Sequence, residues 1–192
     1  MDGVRIAMDG VCEAVAPYLQ TPTELREYLQ EKVPDAVGFT HLHPDHFHSG
    51  YLDFCTQTGT VILMPGAQEG RVGDVNIYPI KTRHLGKVEP DLIHNSFLIC
   101  GRQTILFAGD AAPSELQAVK NVDVLIAPYA YVTTSAGIRA VTSTGAKHLI
   151  LVHMPGIDPD PYGIWGSVRT GLSKCDAFEI VIPQMGQEIE IV

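Results

Sequence analysis

Thr40-His41-Leu42-His43-Pro44-Asp45-His46 is the stretch that decides both the fold and the chemistry. Its last six residues hold three imidazoles and one carboxylate. A packed core does not tolerate that density, because a buried histidine or aspartate without a partner is costly. A divalent metal removes the cost by binding the lone pairs. The preceding Asp35-Ala36-Val37-Gly38-Phe39 is apolar and follows a proline, so it reads as a buried strand. Alternate residues of a strand share a face, which points His41 and His43 the same way as the strand runs out. Pro44 turns the chain. Asp45 is then placed to cap a helix expected from about Asp45 to Thr58, which Gly59 would end, and to face the same cavity.

Other strands end in the same way. Val75 to Thr82 runs into His84, Thr104 to Ala108 runs through Gly109 into Asp110, and Leu149 to Val152 runs into His153. Open α/β sheets place their ligands at the carboxyl ends of strands. Four strand ends carrying ligand-type side chains therefore point to one centre. The inventory sorts into two sites. His41, His43 and His84 form a neutral set suited to zinc, while Asp45, His46 and His153 form a harder set for zinc, manganese or iron. Asp110 has two oxygens and can bridge two ions. Two metals about 3.5–4 Å apart can share a hydroxide and polarise a carbonyl or phosphoryl oxygen.

The rest of the chain supplies layers. Val4 to Met8 is a strand that ends at Asp9. Thr21-Pro22-Thr23-Glu24 starts a helix running from Glu24 to about Lys32, with Thr21 as N-cap and Glu24 closing a capping box. Further strands are expected at 60–64, within 71–84, and at 96–100, 104–108, 122–127, 148–152, 178–182 and 187–192. Helices are expected near 114–120, 135–144 and 162–172. Strands that alternate with helices and also pair as hairpins predict mixed sheets with helices outside.

Composition narrows the partners. The 192 residues are 45% hydrophobic, enough for one sizeable core and one expected domain spanning 1–192. The formal net charge is −9 without a basic cluster, which weighs against nucleic acid and anionic membrane but not against a small anionic substrate. Cys12, Cys55, Cys100 and Cys175 are scattered without Cys-x-x-Cys spacing and read as free thiols. The opening residues lack the basic and apolar regions of a signal peptide. A cytoplasmic protein is the expectation, and a homo-oligomer is compatible with it.

The combined pattern resembles the metallo-β-lactamase superfamily: His41-x-His43-x-Asp45-His46, then His84, then Phe107-Ala108-Gly109-Asp110, then His153. The match covers roughly residues 35–155, in the family's order. It implies an α+β fold, the four-layer αββα sandwich of two mixed β-sheets, with metals at one edge. It carries over the two sites above residue by residue. It also makes Asp9 the family's early aspartate, which supports the metal loop without ligating. His43 separates the chain from the flavodiiron branch, which has glutamate there. Two departures stand out. The region before the metal loop is short, so the first sheet is expected to be small or completed by a partner. His48-Ser49-Gly50 replaces a glycine pair that often follows the Asp-His step. The compact length and Ala127-Pro128-Tyr129-Ala130-Tyr131-Val132-Thr133 resemble a branch of small hydrolases that includes sugar-phosphate lactonases.

The reading is a dinuclear metal-dependent hydrolase acting on an ester, lactone, thioester or phosphoester of a small molecule. Two divalent ions are its cofactors, zinc first, with manganese or iron as alternatives. A metal-held hydroxide would attack, and Asp45 would orient it and take up the proton. The alternative is a metal-binding or sensing protein of the same fold without turnover. Tyr131, Trp165 and His94 are the candidate substrate contacts. His94 also competes with His84 as a ligand, although it precedes its strand. His48 is placed at the mouth of the pocket, and His148 begins a strand away from the metals.

Overall fold

In a computed structural model, the chain is described throughout except for residues 1–2, 87–88, 90, 155–159, 176–177, 185 and 192. It divides into two compact units that interrupt each other in sequence. The first is Met1–Lys81 with Glu89–Arg102, and the second is Thr82–Val88 with Gln103–Val192.

In the first unit a parallel sheet forms from β1 (Ile6–Met8), β2 (Ala36–Gly38) and β3 (Val61–Leu63), in that order. Ile6 pairs with Ala36, and Ala36 with Val61. Parallel neighbours need crossovers, and helices supply both. Between β1 and β2 lies α1 (Pro22–Tyr28). Thr21 caps it, and the expected box with Glu24 is closed in both directions. Between β2 and β3 lies α2 (Ser49–Thr58), which ends at Gly59 in the left-handed region (φ 75°). This sheet is parallel throughout among the described residues, where a mixed one was expected, because hairpins are confined to the later strands. There β4 (Gly70–Val72) and β5 (Val75–Thr82) pair antiparallel around Gly73-Asp74, with β6 (His94–Cys100) beside β5.

The core of this unit explains the path of the metal loop. Leu25, Val37, Phe39, Phe54 and Cys55 are fully buried together. Burying side chains of this size contributes roughly 1.5–3 kcal/mol each. Phe39, just before the loop, meets Phe47, just after it, edge-on at 5.1 Å, and Tyr51 at 6.2 Å. The aromatic pair clips the two ends of the loop together. Gly38 allows the layers to close: a Cβ there would stand 2.7 Å from Met8 Sδ and 3.1 Å from Phe97 Cζ on β6.

The second unit is a parallel run of β7 (Thr104–Phe107), β8 (Val124–Pro128), β9 (His148–Val152) and β10 (Glu179–Val181), neighbours in that order. The short helix expected near 114–120 is a 3-10 helix at Pro113–Ala118. Then come α3 (Ala130–Thr133), α4 (Ser135–Thr144) and α5 (Ile164–Leu172). The expected final strand over 187–192 does not form among its described residues, and Val192 lies outside them.

No helix among the described residues is long and apolar enough to cross a membrane.

Candidate metal centre

The first unit brings His41, His43, Asp45 and His46 onto one loop after β2, and Asp9 organises it. Asp9 ends β1 in the left-handed region (φ 49°) and accepts from Thr40 N–H and Thr40 Oγ1, both at 2.7 Å. Its Oδ2 also meets His46 Nδ1 at 2.9 Å. A carboxylate at this position only accepts, so the His46 proton sits on Nδ1 and the lone pair on Nε2. The same logic runs through Thr40. Its hydroxyl proton goes to Asp9, so it accepts from His41 Nδ1 at 3.0 Å and leaves the His41 lone pair on Nε2. On the far side Glu89 Oε2 takes the Nε2 proton of His43 at 3.4 Å, which puts the His43 lone pair on Nδ1.

These tautomers, assigned from their partners, set acceptors against acceptors. His41 Nε2 and His43 Nδ1 face each other at 3.0 Å. His46 Nε2 and Asp45 Oδ2 stand 3.8 Å apart, outside hydrogen-bond range. Ligand atoms about 2.0–2.2 Å from a tetrahedral ion are separated by about 3.3–3.6 Å. The lone pairs suit a divalent cation in chemistry, and their separations of 3.0 and 3.8 Å lie on either side of that spacing.

The second unit repeats the arrangement with fewer groups. His84 and Ala111 form an isolated antiparallel bridge, flanked by Leu85 N–H to Asp110 O (2.6 Å) and Ala112 N–H to Arg83 O (2.7 Å). The His84 and Asp110 loops are therefore one short ladder. His84 Nδ1 donates to Leu85 O at 2.6 Å, which turns the Nε2 lone pair to within 3.6 Å of Asp110 Oδ2. His153 leaves β9 in the left-handed region (φ 54°), with its side chain exposed. A non-glycine residue at positive φ carries strain of the kind found at functional sites. Of the positive-φ non-glycine residues described, Asp9 and His153 are the two that directly follow strands.

The structure relocates several expected roles. His48, not Asp45, is the N-cap of α2. It is buried: Nδ1 accepts from Tyr51 N–H at 3.2 Å, and Nε2 donates to Ala16 O at 3.1 Å. Asp45 stays in the loop, and its side chain is 47% exposed. His94 begins β6, buried, with its ring 5.2 Å from that of His41, so it packs behind the first ligand. Tyr131 does not offer a phenol to a substrate: it is fully buried and its hydroxyl donates to Ala111 O at 2.7 Å. Burial, and then the charges of Asp110 and Glu115, push that phenol up, so it remains a donor. Trp165 is half-buried in the first turn of α5, where Asp160 caps the Ile164 and Trp165 amides at 2.8 and 3.1 Å. His148 begins β9, as its sequence position implied, near Glu179 at 3.3 Å. Thr40 and Glu89 escaped the sequence reading. Thr40 adjoins the motif, but nothing in the order of residues brings Glu89 to His43.

Residues 1–146 match the family described as beta-lactamase superfamily domain. The chain belongs to that superfamily. Its fold is the αββα sandwich of the metallo-β-lactamase proteins, which solved structures share. The metallo-beta-lactamase fold protein YhfI from Bacillus subtilis is 21% identical with a TM-score of 0.62, over 95% of this chain and 85% of that one. Igni18, a metallo hydrolase from the hyperthermophilic archaeon Ignicoccus hospitalis, is 17% identical with a TM-score of 0.61, over 97% and 90%. A possible metal-dependent hydrolase from Veillonella parvula is 16% identical with a TM-score of 0.58, over 85% and 78%. No curated protein matches the chain.

Proposed function

We propose that the chain is a dinuclear metal-dependent hydrolase of small molecules. His41, His43 and His84 would hold one divalent ion and Asp45, His46 and His153 the other, with Asp110 as a carboxylate available to both. The observation that carries the reading is the opposition of lone pairs. His41 against His43, His46 against Asp45, and His84 against Asp110 stand 3.0–3.8 Å apart, each held by a partner on its far side or by its own loop. Zinc suits the imidazole-rich set, and manganese or iron the set with Asp45. Divalent ions there would supply Lewis acidity and lower the pKa of water.

The chain's own residues do the rest. Asp9 and Thr40 fix the rings of His46 and His41, so the loop pays little ordering cost when it closes on a cation. Asp45, half exposed and 3.8 Å from His46 Nε2, is placed to hold a proton taken from the attacking water. An ester, lactone, thioester or phosphoester, anionic or neutral, is the substrate class proposed. The net charge of −9 supports a small substrate over nucleic acid. A cytoplasmic location is part of the same proposal.

Elemental analysis joined to a panel of lactone, thioester and phosphodiester substrates tests this reading. Two equivalents of metal with turnover of at least one class is the expected result. Full metal loading with no turnover on any class would favour a metal-binding or sensing role. No uptake after supplementation would remove the metal centre altogether.

A further inference from the structure

The short helix α3 and its N-cap Tyr129 touch the loops that carry His153 and Asp110. At its N-terminal edge, Tyr129 N–H donates to Val152 O at 3.1 Å, beside His153. Two residues on, the buried Tyr131 hydroxyl donates to Ala111 O at 2.7 Å, beside Asp110. Ala111 in turn bridges to His84, and Leu85 and Arg83 bond to Asp110 and Ala112 on either side. The helix is itself fixed from outside. A Cβ at Gly137 of α4 would overlap the carbonyl of Tyr131, and a Cβ at Gly171 of α5 would overlap that of Val132. Both neighbouring helices therefore rest on the α3 backbone at a distance that only glycine permits.

We propose that Tyr131 is a positioning residue for the Asp110 loop. Its hydroxyl anchors the Ala111 carbonyl and so fixes where the Asp110 carboxylate stands relative to His84. The Ala111 carbonyl belongs to the Ala111–Ala112 peptide, whose N–H donates to Arg83 O beside His84, so Tyr131 tethers the short ladder that holds the Asp110 and His84 loops together. Partners of this kind that orient a ligand typically carry a tenfold to hundredfold effect on metal affinity. The inference rests on Asp110 being a metal ligand.

The test is Zn²⁺ affinity by competition with a chelating indicator, together with the visible absorption of the Co²⁺-loaded protein. Wild type, Tyr131→Phe and Thr133→Val are compared. Tyr131→Phe removes the one hydroxyl and keeps the ring. Thr133→Val removes a hydroxyl that caps back onto Ala130 O at 3.0 Å within the same helix. The expected result is Zn²⁺ affinity weakened about tenfold or more and altered Co²⁺ bands in Tyr131→Phe, with both unchanged in Thr133→Val. Wild-type affinity and bands in Tyr131→Phe would overturn the inference alone. A wild type that takes up no Zn²⁺ would overturn the site reading and this inference together. Should Tyr131→Phe fail to fold, the Tyr131 hydroxyl proton is followed by NMR in the wild type during Zn²⁺ addition. A shift on loading supports the inference, and an unmoved resonance overturns it.

Discussion

Asp9 and His46, 37 positions apart in the chain, meet at 2.9 Å between Oδ2 and Nδ1. The same carboxylate takes the amide and hydroxyl protons of Thr40, so one side chain determines the proton positions of the His46 and His41 rings. In Asp9→Asn an amide N–H would face one of these donors, and the His46 ring would have to turn or change tautomer. We expect Zn²⁺ affinity to fall about tenfold to hundredfold, measured by chelator competition, with the far-ultraviolet circular dichroism retained. Wild-type affinity in Asp9→Asn would show that the loop holds its rings without the carboxylate.

Asp45 is expected to matter to rate more than to fold. Asp45→Asn keeps the size and removes the charge and the basic oxygen. The imidazole set loses nothing, so the variant should fold and keep at least one metal equivalent. Loss of a general base costs about 10²–10⁴-fold in rate, and a fall of about a hundredfold or more is expected on any substrate the panel identifies. Near-wild-type turnover, with metal content confirmed, would take Asp45 out of proton transfer.

Acid should release the metal and destabilise the protein together. A proton and a metal compete for the lone pair of each ring, so metal binding and the stability it adds are expected at neutral pH and are lost as pH falls, vanishing below about pH 5. Melting curves with and without Zn²⁺ from neutral pH downward should converge there. Curves already superimposed at neutral pH would mean that metal is not coupled to folding.

At α1, Glu24 accepts from Thr21 Oγ1 and from the Thr21 and Gln20 amides, which lowers its pKa. A carboxyl depressed in the folded state adds stability above its unfolded pKa and loses it as pH falls through the folded one. Glu24→Gln should be less stable than wild type in urea at pH 7, with the difference shrinking as pH falls below the ordinary carboxylate range. A constant difference across that range would mean that shape, not charge, sets the cap.

What could be read in sequence was local. The Thr21–Glu24 box declares itself within four residues, and the ligand motif does so because histidines after an apolar run have few other uses. The helix after the motif was placed three residues early, since Asp45 is a more usual cap than His48. The structure uses His48 because Ala16 O fixes its Nε2 proton and leaves Nδ1 to accept. The helix α3 was invisible: four residues after Pro128 are too few for a helical period to appear. The Asp9, Thr40 and Glu89 contacts to the rings depend on tertiary distance. Only the resemblance to the superfamily suggested the role of Asp9, and nothing suggested that of Glu89.

The contacts of Gly137 and Gly171 imply how the chain would answer a saturation scan. Neither glycine is a candidate metal-binding residue, and neither sits at positive φ. Even so, every larger residue at these positions would collide with backbone that cannot swing aside, unlike the tip of a side chain. The map of intolerance would therefore show two islands at positions that carry no candidate metal-binding side chain, and each would be as sharp as a candidate ligand position. A reader of such a map could take them for a second functional region. They would instead be the footprint of two helices seated on four residues.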